Sequence, residues 1–589
     1  MRSALFILCL GCTIPWLAAA EPAPHPRLLF PASAEAAVKE RLTSDPVAAV
    51  VRDGIVAGAR QILGERPCRY EIPDGKRLLG ESRRAVRNVL FTAMAWRLGG
   101  EGEFRDRCLQ ELDAACALKD WNPSHFLDTG EMATAVAIGY DWLFGTLSAE
   151  QKTRYREAMV AKALQPGREV YGKNGGWTRG TNNWSQVCAA GLALAAVALA
   201  EDDPEAYAFF LPRCTETIDA SLRFYEPDGV YPEGPGYWAY GTSYHVLFLA
   251  MQEAAGRPAK TTPAMLRSTE FLAHATGPTG LFFNFADSGA GSGEPVAAYS
   301  WLAARSGQPW VAGWVRAQLE QRADEIKRKG GGDRFFPLHL LWLPPAPAAV
   351  AAAAPLAATF TGPQALACFR SSWGGRDALF VAAKGGTPAV SHGQMDVGSF
   401  VLDALGERWV HDLGTDDYNL PGYFGKQRFT YFRLQNLSHN TLVIDGRLQD
   451  AKAGPAPLVE SSTAKPPFSA TFDLAPAYPA QAKQLRRTFS LDPAARRVRI
   501  ADRVGGPAGP VRWAIVTDAE AAVEGAVVHL RKRGKEITLT RLAPDGAAWA
   551  VLPAKPPTDK ENQNNRHRMV VLDAAAAAEV AFEVEIAVP

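Results

Sequence analysis

The apolar positions of this chain follow two different rhythms. From Ser33 to Trp342 they recur at helical spacing, in stretches such as "RRAVRNVLFTAMAWRLGG", "GEMATAVAIGYDWLFGTL", "SAEQKTRYREAMVAKAL", "NNWSQVCAAGLALAAVALA" and "GYWAYGTSYHVLFLAMQEAAG". Each stretch is bounded by Gly, Pro or polar residues, as helix ends are. Some of these helices are amphipathic. Others, above all Val187 to Ala200, are apolar on every side, which predicts burial rather than a surface position. About ten helices in succession with no strands between them, some apolar all round and some on one face only, predict two concentric layers. The expected architecture is an α/α toroid of helical hairpins over residues 21–342.

The stretch "LPPAPAAVAAAAPLAA", residues 343–358, reads as a Pro/Ala linker. After it the period becomes two. "ALFVAAK", "SFVLDAL", "ERWVHDL", "NTLVIDG", "QLRRTFSL", "RRVRIADRV", "VRWAIVTD", "VVHLRKR", "EITLTRL" and "MVVLDAA" are short alternating or β-branched runs with turn residues between them. Residues 359–589 are therefore expected to form a large antiparallel β-sandwich, and the whole chain a multidomain α and β protein.

Composition changes this picture little. The 589 residues are too many for one core, and 47% apolar with 21% charged residues is a globular balance. A formal net charge of +1 provides no global field to draw nucleic acid or an anionic membrane. Arg2, the apolar "ALFILCLGC" and the small residues Ala18 and Ala20 read as a signal peptide over residues 1–20, cut after Ala20, so the mature chain is expected to be periplasmic or secreted. Cys12 as a lipid anchor is the weaker alternative. Six further cysteines are scattered without a Cys-x-x-Cys pair, which excludes a zinc knuckle and leaves one or two disulfides open. Beyond the signal segment no apolar run reaches the ~20 residues that a membrane span needs, and no motif sets an oligomeric state.

Polar residues that break these rhythms are the candidates for chemistry. Asn182 and Asn183 stand before an apolar helix; one asparagine suffices for a cap, so the second is available to a ligand. Glu233-Gly-Pro-Gly236 launches a helix on which Tyr237, Tyr240 and Tyr244 share a face. An aromatic core stripe is the ordinary reading, but Tyr237 stands at the mouth of a Gly-rich loop, a position that favours chemistry. His125 lies in a loop beside Asp128 and Glu131. In the β half, "SHGQMDVGSFVLDALGERWVHDLG" predicts two strands joined at Gly406. His392, Gln394, Asp412, Arg433 and His439 fall at strand edges there, as a metal or catalytic cluster would.

Taken together, "NNW", "PDGVYPEGPGYWAYG", "SHGQMDVGSFVLDALGERWVHDLG" and "SHNTLVIDG" resemble, in the same order, the heparinase II/III-like polysaccharide lyases. The resemblance implies the same toroid plus β-sandwich and β-elimination at a uronic acid in an acidic polysaccharide. It implies Tyr237 as catalytic base and acid, Asn183 as the residue that neutralises the sugar carboxylate, and His392 as a catalytic histidine facing the cleft. Arg433, His125, Trp184, Tyr240 and Glu233 are then expected to contact substrate. Trp184 stands where alginate- and heparin-acting members often have a histidine, which would leave Tyr237 to do both proton transfers. Members with a His-x-His-x-Asp run hold zinc with its second histidine, an aspartate and a distant histidine. Asp412 and His439 match the last two, but Gln394 replaces the first, and a neutral amide oxygen is a poor zinc ligand. The expectation is a weakened structural zinc site. Two alternatives stay open: a non-catalytic glycan-binding protein on the same fold, and an α/α-toroid glycoside hydrolase, for which Glu131 and Glu233 would be the carboxylates.

Overall fold

The computed structural model describes residues 22–180, 182–291, 294–347 and 354–589; the signal segment, its cleavage point and the middle of the Pro/Ala stretch lie outside them. Helices occupy the chain from Glu35–Ser44 to His339–Trp342, and strands occupy it from Ala357–Phe360 to Glu579–Ala587. The first strand thus opens two residues ahead of the expected domain start.

The layering of the helical half follows its polarity. Phe126–Leu143 is buried along its whole length, and Asn183–Ala198 is buried at every position but Trp184. These inner helices cross backbone to backbone: a Cβ on Gly191 would stand 2.2 Å from the carbonyl oxygen of Gly130, so only glycine permits the approach. The outer helix Pro204–Ser221 instead buries one stripe, Ala206, Phe210, Cys214, Thr217, Ile218 and Ser221, at the period of a helix packed on one side. The cysteines are buried free thiols, so the disulfides left open by the sequence do not form among them. Among the described residues no helix is long and apolar enough to cross a membrane.

Three antiparallel sheets make the second half. A five-stranded sheet runs in chain order from Ala357–Phe360 to Glu407–Val410, and its last hairpin turns at Leu405 and Gly406, both at positive φ. An eight-stranded sheet places Arg497–Gly505 between Gln484–Asp492 and Glu579–Ala587. A four-stranded sheet places Val511–Thr517 between Leu442–Ile444 and Arg568–Ala574. One continuous core joins the five-stranded sheet to the helices through Phe360, Leu366, Phe380 and Val401.

Polar contacts fix the joint between the halves. Arg408 donates to the Phe282 carbonyl at 2.7 Å, and Asp228 accepts from the Thr361 amide at 2.7 Å. Arg370 donates to three carbonyls at the end of helix Pro263–Ala275, among them Thr276 at 3.0 Å. Side chains from the two halves are therefore held in register across the cleft between them.

Candidate active site

A cavity of about 820 Å³ opens where the inner helices begin, lined from the helical half by His125, Asn183, Trp184, Tyr237 and Tyr240 and from the β half by His392, Tyr418 and Phe424. The two asparagines divide their work as the sequence allows. Asn182 is the N-cap and accepts from the Trp184 amide at 3.1 Å. Asn183, only 2% exposed, donates Nδ2 to Glu233 Oε2 at 2.9 Å, and its Oδ1 has no partner. An amide nitrogen carries two hydrogens, so one N–H of Asn183 remains for a ligand.

The loop ahead of Tyr237 is folded against a second segment of the helical half. Gly234 has φ of 90°, and a Cβ there would lie 2.6 Å from the Phe285 carbonyl oxygen. The Gly236 amide donates to Ser288 Oγ at 2.8 Å. This contact brings Asp287 beside the start of the tyrosine helix. Asp287 is the centre of the site. Its amide donates to the His392 carbonyl at 3.1 Å, and its Oδ2 lies 2.9 Å from His392 Nδ1. Its Oδ1 accepts from Gln394 Nε2 and Arg428 Nη2, both at 2.8 Å. Burial alone would push this carboxyl up, but the hydrogen bonds from His392 and Arg428 and the nearby guanidinium hold it below the usual range.

The Tyr237 ring stacks on His392, with centroids 4.3 Å apart and planes inclined by 24°, and its hydroxyl is 2.7 Å from that of Tyr418. Burial, then Tyr418, Asp287 and Glu233, push the Tyr237 phenol well up. Each of these causes disfavours the phenolate, so in the free protein Tyr237 is a neutral phenol, suited to give a proton rather than to take one. His392 has its Nδ1 on Asp287, which assigns the Nδ1 proton to that bond and leaves a lone pair on Nε2. Around this pair, Trp184 packs edge-on to His125 at 4.8 Å, and Tyr240 lies 4.7 Å beneath the Arg83 guanidinium.

Two expected contact residues stand elsewhere. Arg433 does not reach the cavity: its guanidinium bonds Asn564 Oδ1 at 2.9 and 2.5 Å and the Thr415 carbonyl at 2.7 Å, so it is used in bracing the loop. Glu233, 3% exposed, sits behind Asn183 rather than on the cavity wall. Of the three residues expected at the zinc position, two are engaged on one edge only, since His439 Nε2 and Gln394 Oε1 are buried without a partner. Asp412 Oδ2 pairs with His439 Nδ1 at 3.0 Å and its Oδ1 accepts from Gly414 at 2.8 Å, while Gln394 turns its amide to Asp287. A neutral amide beside two ionisable ligands makes a poor zinc set, and among the described residues no group of three or more His, Cys, Asp or Glu side chains is placed to hold a metal.

Asp287, Tyr418, Arg77, Arg83, Arg334 and Phe424 are site residues that the sequence reading passed over. Asp287 and Tyr418 lie in "FADSGAGSG" and "TDDYNLPGYFG", which read as turns. Only aromatic residues in an otherwise polar turn segment marked the second of these.

Residues 365–575 match the family model described as Heparinase II/III-like, C-terminal. No curated protein matches the chain by sequence. Among solved structures, a heparinase III superposes with a TM-score of 0.58 at 15% identity, over 88% of this chain and 80% of that one. The heparan sulfate lyase of Pedobacter heparinus gives 0.52 at 14% identity, over 95% and 92% of the two chains. A Paenibacillus xanthan lyase gives 0.50 at 11% identity, over 95% of this chain and 60% of that one. These likenesses carry the toroid-plus-sandwich fold across nearly the full length, and residues 365–575 are similar to the C-terminal region of heparinase II/III-like proteins.

Proposed function

We propose that the chain is an exported polysaccharide lyase that cleaves a uronate-containing polysaccharide by β-elimination. The observation that carries this reading is the stacked Tyr237–His392 pair, backed by Asp287, on a cavity wall that also presents Asn183. The free N–H of Asn183 neutralises the sugar carboxylate, which stabilises the charge that develops when the C5 proton leaves. His392 Nε2 takes that proton. The C5–H electron pair becomes the C4–C5 double bond, the C4–O4 bond breaks, and the Tyr237 hydroxyl protonates O4. One proton is taken and one is given, so the next turnover requires only that His392 lose its proton and Tyr237 regain one. This assignment separates base from acid, so Trp184 in place of a histidine leaves no role unfilled. Export rests on the N-terminal signal reading.

The hydrolase alternative lacks its carboxylate pair. Glu131 is fully buried and held by Arg83, Arg334 and Tyr244, and Glu233 is held by Asn183. Incubation of the purified protein with a panel of uronate polysaccharides separates the readings. A lyase produces the ultraviolet absorbance of an unsaturated uronate. New reducing ends without that absorbance would mean a hydrolase, and binding with neither would mean a glycan-binding protein.

A further inference from the structure

Beside the main cavity lies a second space of about 440 Å³ that shares the walls Arg83, Asp333 and Arg334 with it. Its remaining walls are Glu65, Arg84, Arg87 and Gly332. Three of these arginines come from one helix, Leu79–Gly99, at relative positions i, i+1 and i+4. Like charges at that spacing oppose helix formation.

The carboxylates nearby do not match the cations. Glu65 is shared between Arg84 at 3.3 Å and Arg87 at 3.0 Å. Glu131, from beneath, is shared between Arg83 at 3.1 Å and Arg334 at 3.0 Å. Glu81, 3.7 Å from Arg84, is matched by Arg66 at 2.6 Å. Burial pushes the Asp333 carboxyl up, toward its neutral form. The four guanidiniums divide Glu65 and Glu131 between them, two to each, and the pairing is uneven in geometry. Arg334 gives Nε and Nη2 to Glu131, and Arg87 gives Nη1 to Glu65. Arg84 Nε is buried without a hydrogen-bond acceptor, and among the described residues the hydrogen bonds of Arg334 use Nε and Nη2 and those of Arg87 use Nη1. Guanidinium forks held in place by a carboxylate on one edge and free on the other are suited to planar or tetrahedral oxyanions.

We infer that this annex is a subsite for an anionic substituent, a carboxylate or a sulfate ester, on a sugar beyond the one at Tyr237. The natural substrate then carries charge on more than one residue within reach of the cleft. The choice of substrate rests on the lyase reading; the anion site itself does not.

Binding is measured by calorimetry in a Tyr237→Phe background, so that turnover does not interfere, with three polymers: an unsulfated polyuronate, a sulfated uronate–hexosamine chain, and that chain after desulfation. Adding Arg84→Gln and Arg87→Gln is expected to weaken binding by at least ~10-fold at low salt and to flatten its salt dependence. Glu65→Gln, which removes a competing carboxylate, is expected to tighten it by ~2- to 5-fold. In the otherwise unmodified enzyme the arginine losses should fall on KM more than on kcat. An arginine effect that vanishes on desulfation identifies sulfate; one of equal size on the polyuronate identifies carboxylate. Melting curves check that the variants fold, and the Glu65 variant acts in the opposite direction to any general damage. Affinities that do not change with either set of substitutions, on all three polymers, would overturn the subsite. Arginine-dependent binding with no unsaturated product from any polymer would leave the subsite standing and reject the lyase reading.

Discussion

Gln394 donates its side-chain amide to Asp287 Oδ1 at 2.8 Å, across the boundary between the two halves of the chain. The same carboxylate holds His392 Nδ1, so the glutamine acts on the histidine through the aspartate. The run "SHGQMDVGSF" thus serves as one unit. His392, at a positive φ of 58°, faces the cavity, and Gln394, 1% exposed, fixes the carboxylate behind it. A histidine in the glutamine's place would have to forgo that amide donation or make it with a ring nitrogen.

The separation of base and acid makes the site residues distinguishable. His392→Ala and Tyr237→Phe are each expected to lower kcat by at least ~10², since each removes one proton-transfer group. Tyr418→Phe removes only the partner of the Tyr237 hydroxyl and should cost roughly ten-fold. Steady-state kinetics with melting curves checks this. Equal losses from Tyr418→Phe and Tyr237→Phe would mean that the two hydroxyls carry the proton together.

The asparagine pair should divide in turnover. Asn182→Ala removes a cap and is expected to cost about 1 kcal/mol of stability with little loss of turnover in the folded protein. Asn183→Ala strips the buried Glu233 of its donor and should cost about 1–3 kcal/mol, and it should lower kcat by ~10² or more, the scale of one lost donor to a developing anion. Glu233→Gln keeps an acceptor for Asn183 and should be mild, whereas Glu233→Leu releases the amide and should resemble Asn183→Ala. Chemical denaturation and turnover are measured on the same samples.

What the sequence disclosed, and what it did not, follows from where each residue sits. Tyr237 and Asn183 stand at starts of long periodic helices, and the break in periodicity exposed them. Asp287 is in an irregular segment, and its role depends on a partner 105 positions away, which no local pattern encodes. Arg433 looked like a ligand because it sits near His439 in sequence, but the three-residue 3₁₀ turn Phe432–Leu434 directs it to Asn564. The arginines of Leu79–Gly99 gave no local signal of a site, since the groove above them is closed by residues 332–334, far along the chain. The first two residues of strand Ala357–Phe360 fall in the expected linker because these alanines continue the Pro/Ala composition.

Acid should destabilise the protein through buried neutral histidines. His274 packs against Trp310 and Trp373 at the joint between the halves, and neither ring nitrogen has a partner. Burial, then Arg370 and Arg267, push it well below its ordinary value. Burial likewise lowers His245 to about 3 and His339 to about 4. Each stays neutral in the fold while the unfolded chain takes up a proton below its ordinary pKa of ~6.5. Stability is therefore full above that pH and falls by about 1.4 kcal/mol per unit and per histidine as the pH drops toward the folded values. His274→Phe gives up no hydrogen bond and should reduce the loss between pH 8 and pH 5 by about 2 kcal/mol. Denaturation curves at several pH values check this; parallel curves for the two proteins would show that His274 is charged in the fold.

Gln394 stands where a zinc site of this pattern would have an imidazole. Purified protein, dialysed and examined by elemental analysis, is expected to carry zinc well below one per chain, and a chelator should leave stability and activity nearly unchanged. Gln394→His would supply a third ionisable-type ligand beside Asp412 and His439, which already lie 3.0 Å apart. That variant should gain metal, and zinc binding to its native state should raise its melting temperature. It should also lose activity, by roughly ten-fold, because Asp287 loses an amide donor and His392 is held less firmly. The two effects are independent: added zinc should restore stability but not turnover. Stoichiometric zinc in the unmodified protein would mean that the Gln394 carbonyl, buried and without a partner, serves as a ligand after all. Activity unchanged in the variant would mean that Arg428, which meets the same Asp287 oxygen at 2.8 Å, is sufficient to hold the carboxylate alone.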